Sequence, residues 1–244
     1  MASKIALATA ITLSIAATTA VADPSGVAQD QVYTQSLSSQ DPLEGLNRVI
    51  FSFNRNLDTY LLKPVAQGYH AVTPDIVEKG IGNFFNNLGE ISNIANNLLQ
   101  CKIDNSLQSF SRFVFNSTFG LAGLIDVATP MGIPEHDEDF GQTLGYWGVG
   151  SGPYLMLPLF GPSSLRDSAG LVFDYQVSPT TQINDDGTRL GLSALKVVSK
   201  RASLLGKERL IEGDDYLYIR NAYLQHREYE VHDGDVQDSF NTDF

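Results

Sequence analysis

The stretch most suggestive of chemistry is Gly148-Val149-Gly150-Ser151-Gly152. A nucleophile elbow needs Gly-x-Ser-x-Gly, but Val149 holds the first glycine position. A dinucleotide loop needs G-x-G-x-x-G opening a helix, and Pro153 stands where the last glycine belongs. The four histidines, His70, His136, His226 and His232, have no metal-ligand spacing, and neither H-E-x-x-H nor C-x-x-C occurs. His136-Asp137-Glu138-Asp139 could hold a metal, but consecutive side chains point different ways, so the run reads as an exposed charge cluster. The acid pairs Asp185-Asp186 and Asp214-Asp215 stand at helix starts, where they suit the helix dipole better than acid–base work. The single cysteine, Cys101, excludes an intramolecular disulfide, and beside Leu98 and Leu99 it reads as a buried, inert thiol. The residues suggest no enzyme, no cofactor and no metal site.

The elements that would position these side chains are mostly helices. Asp41-Pro42-Leu43-Glu44 is a helix start: Asp41 as cap, Pro42 in the first turn, Glu44 as the capping-box acid. Leu43, Leu46, Ile50, Phe53, Leu57 and Leu61 then form one apolar stripe, and Lys63-Pro64 reads as the stop. About 20 residues span about 30 Å, near the thickness of a bilayer core. The charges within the segment argue against spanning, so it lies flat, on a core or along a membrane interface. Thr73-Pro74-Asp75 starts a second helix. Asp104 can cap a third, with Leu107, Phe110, Val114 and Phe115 inside. Residues 129–140 form an acidic loop.

Tyr146–Val149 and Tyr154–Leu157 read as two short strands around Gly150-Ser151-Gly152-Pro153, forming a mobile Gly/aromatic hairpin. Ser163 can cap a helix carrying Arg166 and Asp167, and further helices run from about Gly187 to Leu205 and from Asp214 to Glu230.

Asn83 to Leu99 has an unusual composition. A helix there puts Asn83, Asn86, Asn87, Glu90, Asn93 and Asn97 on one face, with Phe84, Leu88, Ile91, Ala95 and Leu98 opposite. Two readings stay open: amides that hydrogen-bond between packed helices or face water, and an uncharged lining for a water-filled path.

The ends of the chain read as processing and linker segments. Lys4, an apolar run from Ile5 to about Ala17, and Ala20-Val21-Ala22 before Asp23 make a secretory signal peptide cleaved after Ala22. The divisions expected are 1–22 leader, 23–40 polar lead-in, 41–232 helical domain and 233–244 polar tail. The formal charge is −12, and cleavage removes Lys4 without removing an acid. Such a chain is repelled by nucleic-acid phosphates and anionic headgroups at long range, so no nucleic-acid partner is expected.

Asp41–Arg48, DPLEGLNR, resembles the start of the MlaA/VacJ family of outer-membrane proteins. The resemblance continues through the Pro64 region, Phe110–Asp126, Phe140–Asp167 and Asp214–Arg227 with Tyr216, Arg220, Ala222 and Tyr223, and so covers nearly all of the chain after the leader. It implies a mainly helical, ring-like domain embedded in the inner leaflet of the outer membrane without spanning it. It implies removal of phospholipid mislocalised to the outer leaflet, transfer to a soluble periplasmic carrier, and association with trimeric porins. Asp41, Pro42, Glu44, Asn47 and Arg48 are the family motif that shapes the first helix.

On that reading the amide face, with Arg166 and Asp167 facing a headgroup or pairing with their neighbours, is a candidate lipid path. Tyr146, Trp147 and Tyr154 in the hairpin are a candidate gate. One feature departs from the family: many members carry a lipid-bearing Cys directly after the cleavage site, where this chain has Asp23. An acyl anchor is therefore not expected. A soluble periplasmic apolar-ligand binder, a lipid hydrolase and a porin-associated structural protein are the alternatives.

Overall fold

The structure is a computed structural model, and residues 41–206 and 214–235 are described. The leader, its cleavage site at Ala22 and Asp23, the lead-in and most of the tail lie outside the described residues.

Helices dominate, in the order α1 (Glu44–Leu57), α2 (Lys63–Val72), α3 (Asp75–Leu99), α4 (Ile103–Thr118), α5 (Phe140–Tyr146), β1 (Tyr154–Leu157), β2 (Gly161–Ser164), α6 (Leu165–Val177), α7 (Asp186–Ala202) and α8 (Asp215–Val231). Among the described residues no helix is long and apolar enough to cross a membrane. Asp185 caps α7 and Asp214 caps α8, each accepting hydrogen bonds from first-turn backbone N–H groups.

Lys63-Pro64 does not stop the first helix. A π-helical turn, Asp58–Leu62, joins α1 to α2, and the Lys63 N–H reaches back five residues to the Asp58 carbonyl. Pro64 then falls in the first turn of α2, where its missing N–H costs little. The chain leaves the helical path at Thr73, which is extended, and Pro74 follows.

α3 and α4 pack side by side along most of their length. Cys101 sits in the tight link between them at φ 60°, its N–H bonded to the Leu98 carbonyl. Its side chain is exposed rather than buried, because the left-handed turn points it away from the α3–α4 seam. The cap of α4 is Lys102, not Asp104, which lies inside the first turn.

The hairpin is displaced from its expected place. Residues 140–146 form α5, capped by Asp139, which accepts from the Gln142 N–H. Tyr146 and Trp147 therefore end a helix instead of forming a strand. The pairing is β1 with β2, antiparallel, with Tyr154 opposite Ser164 and Leu157 opposite Gly161. Leu159 (φ 70°) and Gly161 (φ 84°) supply the left-handed residues that turn the chain. Ser164 rather than Ser163 caps α6, accepting from the Asp167 N–H.

The burial pattern is inverted relative to a water-soluble domain. Seven hydrophobic side chains are buried among the described residues, against twenty-one polar or charged ones. Such a ratio cannot come from hydrophobic collapse in water, which buries apolar groups first. α4 shows the inversion most clearly: Ser106, Ser109, Arg112 and Asn116 are buried, while Leu107 and Phe110, expected inside, are more than half exposed. On α1, Leu43, Leu46 and Phe53 of the apolar stripe are exposed, as is Leu61 in the π turn, and the buried residue of α1 is Asn47. The small apolar core is Tyr154, Met156 and Tyr216, with Ile50, Phe51 and Leu224 packed against it.

Candidate lipid-handling site

Three polar networks hold the fold together and take up most of the expected site residues. The first is built on the motif at the start of α1. Asp41 is buried and does not cap the helix: its carboxylate accepts from the Asn47 amide at 2.8 Å, from the Tyr216 hydroxyl and from Arg220 at 3.3 Å. Asn47 also accepts from the Met156 N–H at 2.9 Å and donates to the Tyr154 carbonyl at 3.1 Å, so its amide serves as a neighbouring strand along the free edge of β1. Asn54, two turns on, repeats the arrangement with the Leu157 carbonyl and the Leu159 N–H. Glu44 does not reach back to a cap: it accepts from Arg48 at 2.7 Å, and Arg48 goes on to Asp214 and lies over the Tyr216 ring. Pro42 precedes the helix, and the cap position is Leu43. The motif thus ties α1 to β1 and α8 rather than merely starting a helix.

The second network fills the seam between α3 and α4. Glu90 and Arg112, both buried, pair at 2.7 Å, and Arg112 continues to Thr129 and the Ile133 carbonyl. Asn93 donates to Glu90, Asn97 to the Asn93 carbonyl, and Asn87 to Ser117. Asn83 donates to the Leu124 carbonyl, across a turn that comes so close to α3 that a Cβ on Gly123 (φ 91°) would lie 2.7 Å from Asn87. Asn87, Glu90, Asn93 and Asn97 are therefore internal, in the packing arrangement that the sequence left open beside a lining role. Asn86 alone of the six is exposed. Desolvation pushes the Glu90 carboxyl above its usual range, against the pull of Arg112.

The third network joins α5, α6 and α8. Arg166 and Asp167 are both buried and pair with each other at 2.9 Å. Asp167 also accepts from Arg227, the Tyr223 hydroxyl and Ser164. Burial alone would raise the Asp167 carboxyl, but Arg227 and the two hydroxyls outweigh it and hold it at about 2. Arg227 extends the network to Asp139 at 2.7 Å. Helices α5 and α6 meet at Gly141 and Gly170, where a Cβ on Gly170 would stand 2.5 Å from the Gly141 nitrogen. Leu157, Phe160 and Leu171 line a cavity of about 190 Å³ above Asp167 and Arg227.

The run His136–Asp139, expected as an exposed charge cluster, is divided among separate partners. Glu138 is buried against Gln100 and Lys102, Asp139 caps α5 and binds Arg227, and His136 meets Gln108. Among the described residues no group of His, Cys, Asp or Glu could hold a metal ion. The expected gate residues also separate. Tyr154 is fully buried in β1 against Tyr216 and Tyr223, whereas Tyr146 and Trp147 are about half exposed, with the Trp147 indole N–H on the Leu99 carbonyl.

Sequence reasoning passed over Asn96, Gln100, Arg112, Asn116 and Arg227, all central to these networks. Arg112 left a signal, as the one basic residue of α4. Arg227 left none, because Asp139 and Asp167 lie 88 and 60 residues away.

Around these networks many large apolar side chains are exposed. Val72 and Ile76 are each 81% exposed and Phe160 75%, and Phe119, Leu121, Leu159, Val172 and Leu190 are also largely exposed. Exposed apolar surface of this extent marks an interface, in this case with apolar groups outside and hydrogen bonds inside.

A family model described as "MlaA lipoprotein" matches residues 39–230. The "Intermembrane phospholipid transport system lipoprotein MlaA" of Escherichia coli (strain K12) is 34% identical over 210 residues, covering 84% of this chain and 83% of its own. An uncharacterised protein of Rickettsia felis is 34% identical over 199 residues, covering 80% of this chain and 79% of its own. A solved structure described as "Structural basis for maintenance of bacterial outer membrane lipid asymmetry" superposes with a TM-score of 0.69 at 37% identity, covering 78% of this chain and 98% of its own.

Proposed function

The chain belongs to the MlaA family, and from that membership we propose that it removes phospholipid strayed into the outer leaflet of the outer membrane and passes it to a soluble periplasmic carrier. It works from the periplasmic side of that membrane, in company with a trimeric porin. The observation that carries this reading is the inverted burial: amides, acids and arginines inside, Leu, Val, Ile and Phe outside, in a fold without a spanning helix among the described residues.

The energetics explain why such a protein is needed. A phospholipid with about 30 chain methylenes costs about 24 kcal/mol to expose fully to water, at about 0.8 kcal/mol per CH₂. Release through water is therefore too slow, and a sheltered route is required. Its apolar walls come from the exposed helix faces. Asn86 is the member of the amide face left for a passing headgroup, and Tyr146 and Trp147 beside Gly148 are the candidates for a gate. No catalytic group takes part, and no acyl chain is needed, because the apolar faces of α1 and α2 hold the protein in the leaflet.

The test is transfer of labelled phospholipid from vesicles to a periplasmic carrier. The protein accelerates transfer without releasing fatty acid, and Asn86→Leu slows it with the fold unchanged. Fatty-acid release would make the protein a hydrolase, and loss from the membrane fraction on a salt wash would make it a soluble binding protein. Normal transfer by Asn86→Leu would remove Asn86 from the path.

A further inference from the structure

In an acidic chain, basic residues are concentrated in one place. Six of the sixteen Lys and Arg residues fall between Arg189 and Arg209, with Glu208 as the single acid among them. The described part of this segment is α7, which packs on α2 and α3 through a face where Ser199 and Ala202 are buried. Its outward arc has two bands. At 100° per residue, Leu190 and Val197 lie on one stripe, exposed at 71% and 48%, and Lys200 lies about 60° round the helix, beside Lys196.

The four cations of α7 are not equivalent. Arg189 is paired with Asp186, and Arg201 grips Asp58 in the π turn. Lys196 and Lys200 have no ion-pair partner among the described residues, although they are one turn apart and of like charge. The Lys196 ammonium is held below the ordinary lysine range, first by desolvation and then by repulsion from Lys200. An anion between them would relieve both effects.

An apolar band with cations along its flank is the pattern of a helix lying in a bilayer interface, apolar side toward the acyl chains and ammonium groups at phosphate level. The net charge of the chain opposes any anionic surface at long range, so attraction to one must be local.

We propose that α7 is an anionic-phospholipid contact helix, in which Lys196 and Lys200 bind headgroup phosphates of the membrane surface while Leu190 and Val197 enter the acyl region. This rests on the membrane seat proposed above and adds a headgroup preference to it.

The experiment is flotation of the purified protein with vesicles of phosphatidylcholine alone and of phosphatidylcholine mixed with phosphatidylglycerol. The wild type binds the mixed vesicles more tightly, and the preference fades at high salt. Lys196→Gln with Lys200→Gln lowers partition into the mixed vesicles about twenty-five-fold, from about fivefold per lysine near an anionic surface, and leaves binding to neutral vesicles unchanged. Leu190→Ser with Val197→Ser weakens binding to both vesicle types. Equal binding of wild type and the lysine double variant to mixed vesicles, with equal helix content, would overturn the proposal and leave the membrane seat standing. Binding to neither vesicle type would overturn both.

Discussion

The amide of Asn47 offers the sharpest test of how the motif works. Asn47→Ala removes the acceptor of the Met156 N–H and the donor to the Tyr154 carbonyl, both on the edge of β1 that faces away from β2. Each buried backbone group left without a partner costs about 1–3 kcal/mol, so the substitution should cost about 2–5 kcal/mol. Asp41 loses one donor but keeps Tyr216 and Arg220, which limits the damage there. Asn47→Asp keeps the shape and the acceptor for Met156 but cannot donate, and it sets a second carboxylate within about 3 Å of Asp41. It should cost at least as much as alanine, although a helix-start capping role would make Asp as good as Asn. Asn54→Ala is the internal control. It breaks the same kind of contact at a half-buried position and should cost about 1 kcal/mol. Urea unfolding in a mild detergent, followed by circular dichroism, reads these differences as midpoint shifts. Asn47→Ala within about 0.5 kcal/mol of wild type, or Asn47→Asp as stable as wild type, would refute the bridging role.

Further outcomes follow from the other networks. Arg112→Met strands the buried Glu90 carboxylate and should cost about 3–5 kcal/mol, whereas Arg112→Met with Glu90→Leu should recover much of the loss in the same unfolding assay. Asp167 is held at about 2 against an ordinary 3.8, so its contribution is complete above pH 3.8 and is lost as pH falls through 2. Acid titration should therefore remove about 2 kcal/mol across that window, and Asp167→Asn should flatten it. Gly170→Ala drives a methyl to 2.5 Å from the Gly141 nitrogen and should separate α5 from α6, lowering the unfolding midpoint by about 1–3 kcal/mol worth of stability.

The helical architecture was legible because stripes such as Leu43 to Leu61 repeat with the helix period whichever side they face. The facing was not legible. Leu107 and Phe110 look like core residues, and Asn93 and Asn97 leave helix packing, water and a lining all open, since a hydropathy pattern records amphipathicity and not which medium lies outside. Pro64 read as a stop because a π turn, which accommodates it, has no sequence signature of its own. Tyr146 to Val149 read as a strand on aromatic and Gly content, but the Asp139 cap, buried Thr143 and the Gly141–Gly170 contact set a helix that ends at Tyr146, with Trp147 to Val149 in the turn that follows. At the site, the DPLEGLNR motif reads as a helix start, and the structure uses its side chains for long-range contacts instead. Asp41 and Glu44 satisfy every local rule for capping, yet their partners are Tyr216, Arg220 and Arg48, two of them about 175 residues away in the chain.

The proposed function of this chain is to clear phospholipid from the outer leaflet of the outer membrane. The direct measurement is surface-exposed phospholipid on intact cells lacking the chain, and on the same cells with it restored from a plasmid. Deletion should raise exposed phospholipid and restoration should return it to the wild-type level, while the Asn47→Ala chain restores it only in part because the fold is weakened. Unchanged surface phospholipid on deletion, with the outer membrane otherwise intact, would contradict the account.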